Sequence, residues 1–150
     1  RAGGAGPGCT PVHAAEVAAG LDSAEGYADF AARVEHARTS LRAFLNRARQ
    51  EGKAVAAYGA AAKGNTLLNV CGVGRDSIAY VVDRSPHKQG MLLPGSRIPV
   101  YPPDRIDETR PDFVLILPWN LRDEIVRDTA QIAEWGGRFV IPVPECAVVG

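Results

Sequence analysis

Residues 58–66 read YGAAAKGNT, and they separate a short apolar run, residues 54–58, from a helix-forming run, residues 67–70. A buried strand, a turn of small residues and a helix start leave backbone N–H groups unpaired and place about +0.5 of an elementary charge at that helix end. Phosphate is the natural ligand of such a turn. The stretch therefore predicts an α/β fold with an anion site that begins at Gly59.

On both sides of the turn, short apolar runs alternate with polar helical segments. Such runs are typical of parallel strands buried on both faces, and a β-α-β rhythm predicts right-handed crossovers. We expect a Rossmann-like, doubly wound α/β fold with a mainly parallel five-stranded sheet. A helix between the last two strands is predicted to be capped by Asn120 and ended by Gly136 and Gly137. The predicted strands are residues 54–58, 78–82, 98–101, 113–117 and 139–143.

The N-terminal part has a different pattern. Residues 1–11 are rich in glycine and proline, so we assign residues 1–21 to a linker with a short helix and residues 22–150 to one domain. Asp22 followed by Glu25 resembles a capping box and predicts the start of a long helix. Its apolar positions recur at intervals of three and four residues and share one face. They are Tyr27, Phe30, Val34, Ala37, Leu41, Phe44 and Ala48.

The glycine-rich turn fits two known patterns imperfectly. As a dinucleotide fingerprint it reads G-x-A-x-x-G from Gly59 to Gly64, and Asp83 follows at the spacing of a ribose contact. Ala61 departs from that pattern, because the middle glycine lets the backbone approach a pyrophosphate. As a P-loop it carries Asn65 where the lysine is required, so an NTPase is disfavoured. A third interpretation is that the glycines only make a tight turn.

Polar side chains around the turn favour ligand binding. They follow the first, second and fourth predicted strands, whose carboxyl ends meet at the edge where open α/β sheets bind ligands. Cationic groups, amides and hydroxyls can hold phosphate, and an indole can stack on a base or a sugar. The predicted site residues are Gly59, Lys63, Gly64, Asn65, Thr66, Asp83, Arg84, Lys88, Gln89, Trp119 and Asn120.

Composition limits the partners. The chain has 17 Lys and Arg against 17 Asp and Glu, so charge gives no reason to expect nucleic acid or an anionic membrane. The apolar stretches are far shorter than the roughly 20 residues of a membrane span, and no signal-peptide pattern is present. We therefore expect a cytoplasmic protein.

The cysteines are odd in number and far apart, and no histidine is matched to a nucleophile, so no metal site and no catalytic residue are predicted.

Segments at the three strand ends resemble the C-terminal domain of the S-adenosylmethionine-dependent sugar C-methyltransferases. The segments are residues 58–69 (YGAAAKGNTLLN), 82–90 (VDRSPHKQG) and 115–121 (LILPWNL). The resemblance runs from near Asp22 to Val149 and includes residues 134–142. It departs from the family at Ala61 or Ala62, at one of which proline is frequent.

The resemblance implies a function for this edge of the sheet. Enzymes of that family methylate a carbon of dTDP-linked keto-deoxysugars on the way to antibiotic sugars, and their C-terminal domain anchors the nucleotide-sugar. Residues 22–150 would then be a Rossmann-like nucleotide-sugar-binding domain. The contacts implied in this chain are Lys63, Asn65, Thr66, Lys88, Gln89, Trp119 and Asn120.

The same resemblance implies partners outside this chain. In the family, a zinc-binding N-terminal motif and a middle domain that holds S-adenosylmethionine precede the C-terminal domain, and the catalytic base is expected in the middle domain. The chain begins at Arg1 rather than methionine, so we expect a piece of a longer protein. It would bind a dTDP-sugar and the middle domain, hold no cofactor itself, and be inactive alone.

Two other functions stay open. The first is the NAD(P)-binding domain of an oxidoreductase, which the fingerprint spacing favours and Ala61 disfavours. The second is a non-catalytic scaffold domain, whose turn binds nothing and whose long helix docks a partner.

Overall fold

The computed structural model describes residues 10–149, which form a mixture of helices and strands. The α-helices are α1 (Thr10–Ala18), α2 (Phe30–Gln50), α3 (Ala62–Val70), α4 (Arg105–Thr109) and α5 (Arg122–Asp128). The strands are β1 (Val55–Tyr58), β2 (Val81–Val82), β3 (Val100–Tyr101), β4 (Phe113–Ile116), β5 (Arg138–Ile141) and β6 (Ala147–Val149). Short 3₁₀ helices span Glu25–Tyr27, Trp119–Leu121 and Ala130–Trp135.

The six strands form one sheet in the order β3-β2-β1-β4-β5-β6. Strands β1 to β5 pair in parallel, and β6 pairs antiparallel with β5. This order is that of the Rossmann fold, so the predicted Rossmann-like α/β class is confirmed. The predicted count of five strands is short by one. Strand β6 was missed because its three residues follow a Pro-Val-Pro segment and are too few to show a period.

Side chains of alternate strand residues fill two cores, one on each face of the sheet. Ala57 and Leu115 face the core that Leu41 of α2 and Leu68 of α3 complete. Their sequence neighbours face the opposite core, with side chains from α4 and α5. That second core contains Ala56, Val114, Ile106, Ile125 and Ile132. Burial on both faces explains why the strands read as continuous apolar runs.

Helix α2 begins later than the sequence predicts. The proposed capping box at Asp22 is wrong, because a 3₁₀ turn follows there and the Ser23 hydroxyl accepts the Gly26 N–H at 3.3 Å.

The chain divides between Glu35 and His36 into two compact units. In the second unit, the helix buries the predicted Ala37, Leu41 and Ala48 together with Leu45, and Phe44 is half-buried. The predicted Tyr27, Phe30 and Val34 lie in the first unit and are exposed.

The segment between β4 and β5 is three short helices rather than the one that was predicted. Asn120 is not the cap, because it lies inside the 3₁₀ turn that precedes α5 and no side chain caps α5. The Thr129 hydroxyl donates to the Ile125 carbonyl at 2.5 Å, where α5 ends. Gly136 ends the segment with φ of 80°, as predicted.

In residues 10–149, no helix has both the length and the apolar character to cross a bilayer.

Gly64 lets α3 pack closely against the chain that leaves β4. A Cβ atom at this position would lie 2.5 Å from the Cβ of Leu117, whose side chain is fully buried. That distance is far inside van der Waals contact, so any side chain here would push the helix away from the sheet.

Gly64→Ala is therefore expected to lower the free energy of unfolding by about 1–3 kcal/mol in urea denaturation, although alanine favours helix. Gly74→Ala is the matched control, because its new Cβ would meet the Asp76 carboxylate at 3.4 Å and the Ser96 carbonyl at 3.9 Å, which are ordinary contacts. Equal stability of the two variants would contradict the packing described for α3.

Asp112 fastens the amino ends of β1 and β4 together. Its carboxylate accepts the Lys53 ammonium at 2.9 Å and the Ala54 N–H at 2.8 Å. The hydrogen bond from Lys53, and then that from Ala54, hold the pKa of Asp112 below its ordinary value of 3.8. The ionised form is therefore the one that stabilises the fold.

Because the folded-state pKa is lowered, this stabilisation is present above the unfolded pKa and is lost as the pH falls through the folded value. Asp112→Asn is expected to cost less than about 1 kcal/mol at pH 7, since both partners are more than a third exposed. Urea denaturation should show the difference from wild type shrinking below pH 3.8. A difference that does not change with pH would refute the role of the charge.

Candidate ligand site at the glycine-rich turn

The glycine-rich turn lies where the strand order reverses between β1 and β4. Open α/β sheets bind ligands at such a switch point, outside the carboxyl ends of the strands. Gly59 leaves β1 with φ of 86°, and a Cβ there would lie 2.6 Å from Cδ of Pro118, which follows β4. Both the backbone angle and the close approach require glycine.

The N-terminus of α3 opens onto this switch point. The helix begins at Ala62, and no side chain caps it at Ala61. The first hydrogen bond of the helix runs from the Asn65 N–H to the Ala61 carbonyl at 2.9 Å. The amides at the start of a helix have no intrahelical acceptor, so those of residues 62–64 are directed to the edge of the sheet with the positive end of the helix dipole.

Lys63 connects α3 to the segment after β4. Its ammonium donates to Asn120 Oδ1. The same ammonium lies 4.3 Å from the centroid of the Trp119 ring, a cation–π contact. Trp119 is half-buried and packs against the second core, whereas Lys63 and Asn120 are exposed. The structure thus brings together three predicted site residues from two sides of the switch point.

Asp83, which directly follows β2, is joined to the turn. Its side chain is 12% exposed. Oδ2 accepts the Ala60 N–H at 2.7 Å and the Lys88 ammonium at 3.2 Å, and Oδ1 accepts the Ser85 N–H at 2.8 Å. Two carboxylate oxygens offer about four acceptor sites, so this network uses most of them. The predicted ribose contact stays a prediction, and in this arrangement a ribose would have to displace Lys88.

Lys88 and Gln89 tie the loop after β2 to the turn. Lys88 donates to the Ala60 carbonyl at 2.9 Å as well as to Asp83, and Gln89 donates to the Asp83 carbonyl at 2.9 Å. An ammonium has three N–H donors, and the Lys88 side chain is 46% exposed. Its remaining donor can therefore reach a ligand in front of the turn.

The side chains of three predicted site residues take no part in this network, and two of them pair elsewhere. Arg84 donates to Asp128 on α5 at 2.8 Å, and this hydrogen bond raises the pKa of Arg84 and lowers that of Asp128. The Thr66 hydroxyl donates back to the Ala62 carbonyl at 3.2 Å. Asn65 Oδ1 is buried without a hydrogen-bond partner. In this arrangement the backbone of the first α3 turn and the Lys63 side chain lie on the ligand side, whereas the Thr66 hydroxyl is paired within the helix.

Ala60 and Pro118 also form part of the site, although neither is among the predicted site residues. Ala60 contributes its backbone N–H to Asp83 and its carbonyl to Lys88, and a backbone contribution leaves no signal in the residue type. Pro118 forms the wall against which Gly59 packs. A proline directly after a predicted buried strand was the one available sign of it.

The groups described at this edge would suit an anion. The Lys63 and Lys88 ammonium groups and the positive end of the α3 dipole lie beside the Asp83 carboxylate, so positive charge exceeds negative charge among them. Within residues 10–149, no cluster of three or more His, Cys, Asp or Glu is arranged to hold a metal ion.

Burial raises the pKa of Cys146 to about 11, so its thiol is protonated at neutral pH. Cys9 lies outside the described residues.

Comparison with known proteins gives two matches. The family model described as the C-methyltransferase C-terminal domain matches residues 4–144. The C-methyltransferase NovU of Streptomyces niveus is 38% identical over 143 residues, which are 95% of this chain and 34% of NovU. The chain thus spans about a third of the length of that curated relative.

Asp83→Ala tests whether the carboxylate supports the turn. It leaves the Ala60 and Ser85 N–H groups without their acceptor, so we expect unfolding in urea to become easier by about 1–3 kcal/mol. Asp123→Ala is the control, because that side chain is 91% exposed and its loss should cost no more than about 0.5 kcal/mol. The support role fails if both variants are equally stable.

Proposed function

Because the chain belongs to the C-methyltransferase C-terminal domain family, we propose that it anchors a dTDP-linked keto-deoxysugar for C-methylation. The observation that carries this proposal is the uncapped N-terminus of α3 with Lys63 and Lys88 beside it. A diphosphate bridge carries two negative charges, which suit two ammonium groups and a row of backbone amides. The sugar would be a precursor of an antibiotic deoxysugar, methylated in the cytoplasm.

The methyl donor is proposed to bind in another part of a longer protein. Support comes from the length of NovU, of which this chain matches about a third. The zinc motif and the S-adenosylmethionine site that the resemblance implies would lie in the remainder. The glycine-rich turn does not suit a cofactor whose ribose binds an acidic residue. The Asp83 carboxylate already accepts hydrogen bonds from Ala60, Ser85 and Lys88. The isolated chain is expected to bind nucleotide without catalysing methylation.

An NAD(P)-binding role is the second candidate, since the strand order is that of dinucleotide-binding domains. The occupied Asp83 carboxylate and the methyl group of Ala61 both disfavour it. Calorimetric titration with dTDP, a dTDP-sugar, NAD and S-adenosylmethionine separates the candidates. Our proposal requires the thymidine nucleotides to bind most tightly, and a scaffold domain would bind none of the four.

Lys63→Ala is expected to weaken dTDP binding by about 1.5–3 kcal/mol, the usual scale of a hydrogen bond to a charged group. Calorimetry measures this directly. Lys53→Ala is the matched control, because Lys53 pairs with Asp112 at the opposite edge of the sheet, and its loss should leave dTDP affinity unchanged. Unchanged affinity in Lys63→Ala would exclude the turn as the phosphate site.

A further inference from the structure

We propose that the indole of Trp119 is a platform for the pyrimidine base of the nucleotide, and that Lys63 covers this platform until the diphosphate draws it away. The inference rests on the proposed function, because it takes the diphosphate to bind at the N-terminus of α3. It adds the location of the nucleoside and a coupling between the two halves of the ligand.

Lys63 is held in its present position by neutral partners. Its ammonium lies 4.3 Å from the Trp119 centroid and donates to the neutral amide oxygen of Asn120. A phosphate oxygen carries a negative charge, so it attracts the ammonium more strongly than either partner does. Lys63 is exposed and its stem is flexible, so a phosphate at the adjacent helix N-terminus can attract the ammonium without moving the backbone.

The departure of Lys63 would free two groups that suit a base. The uncovered face of Trp119 can stack on an aromatic ring, a contact that tolerates any base. Asn120 Oδ1 becomes free to accept the N3–H of thymine or uracil, while its amide N–H donates to a neighbouring base carbonyl. Trp119 and Asn120 are adjacent in one 3₁₀ turn, so both can engage one base.

The other side of the turn offers no comparable place for a nucleoside. In dinucleotide-binding domains the ribose lies against the acidic residue after β2. Here the Lys88 ammonium donates to both the Asp83 carboxylate and the Ala60 carbonyl. The Gln89 side-chain amide donates to the backbone carbonyl of Asp83. The nucleoside is therefore directed toward β4, and the sugar of the ligand is left to extend away from this domain.

Two partial ligands test the coupling, because Lys63→Ala should affect them in opposite directions. Pyrophosphate loses its ammonium partner, and its affinity should fall at least about tenfold. Thymidine no longer has to displace a cation from the indole, and its affinity should rise about two- to fivefold. Trp119→Leu, which keeps the apolar packing, should weaken thymidine about tenfold and should not weaken pyrophosphate, because Lys63 then has no indole to leave.

The chain has two tryptophans, which gives the measurement an internal control. Trp135 donates its indole N–H to the Pro111 carbonyl at 3.1 Å, at the amino edge of β4. In ¹⁵N-labelled protein, thymidine and dTDP should shift the indole N–H signal of Trp119 and leave that of Trp135 in place. Trp119→Leu also assigns the two signals.

The outcomes separate this inference from the proposed function. If wild type binds no pyrophosphate, the proposed function fails, and the inference fails with it. If Lys63→Ala weakens pyrophosphate but does not strengthen thymidine, or if the Trp119 signal does not respond to thymidine, only the base platform is overturned. A Trp119 shift with glucose 1-phosphate but not with thymidine would assign the platform to a sugar and overturn it equally.

Discussion

The close approach of α3 to the chain that leaves β4 is the constraint on which the rest of the structure depends. Gly59 and Gly64 lie against Pro118 and Leu117 at distances that no Cβ atom could share. With both side chains absent, the start of α3 lies directly at the switch point between β1 and β4. Its free amides, Lys63 and the 3₁₀ turn with Trp119 consequently meet at one edge of the sheet.

The same edge combines a cross-linked turn with an exposed lysine. Asp83, Lys88 and the backbone of Ala60 form a closed hydrogen-bond network at the turn. Within residues 10–149, the contacts of the exposed Lys63 side chain are with Trp119 and Asn120. Under our proposal the network is in place before an anionic ligand binds, and the Lys63 ammonium then completes the site.

The sequence predicted the fold well because the determinants are local. Continuous apolar runs marked β1 and β4, and glycine spacing marked the turn. The partners of charged side chains were not predictable, because they depend on residues far along the chain. Asp128 is 44 residues from Arg84, and the Ala60 backbone is 23 residues from Asp83. The start of α2 and the break at Thr129 were missed because competing side-chain hydrogen bonds redirect the backbone there.

In our proposal, the backbone amides at the start of α3 hold a diphosphate. Amide ¹H–¹⁵N NMR during titration with dTDP tests this binding most directly. We expect the largest shifts at Ala62, Lys63 and Gly64, while the signals of Ala54 and Asp112 at the opposite edge stay in place. The proposal would be contradicted if dTDP binds and shifts the signals at the opposite edge while the signals at the start of α3 do not move.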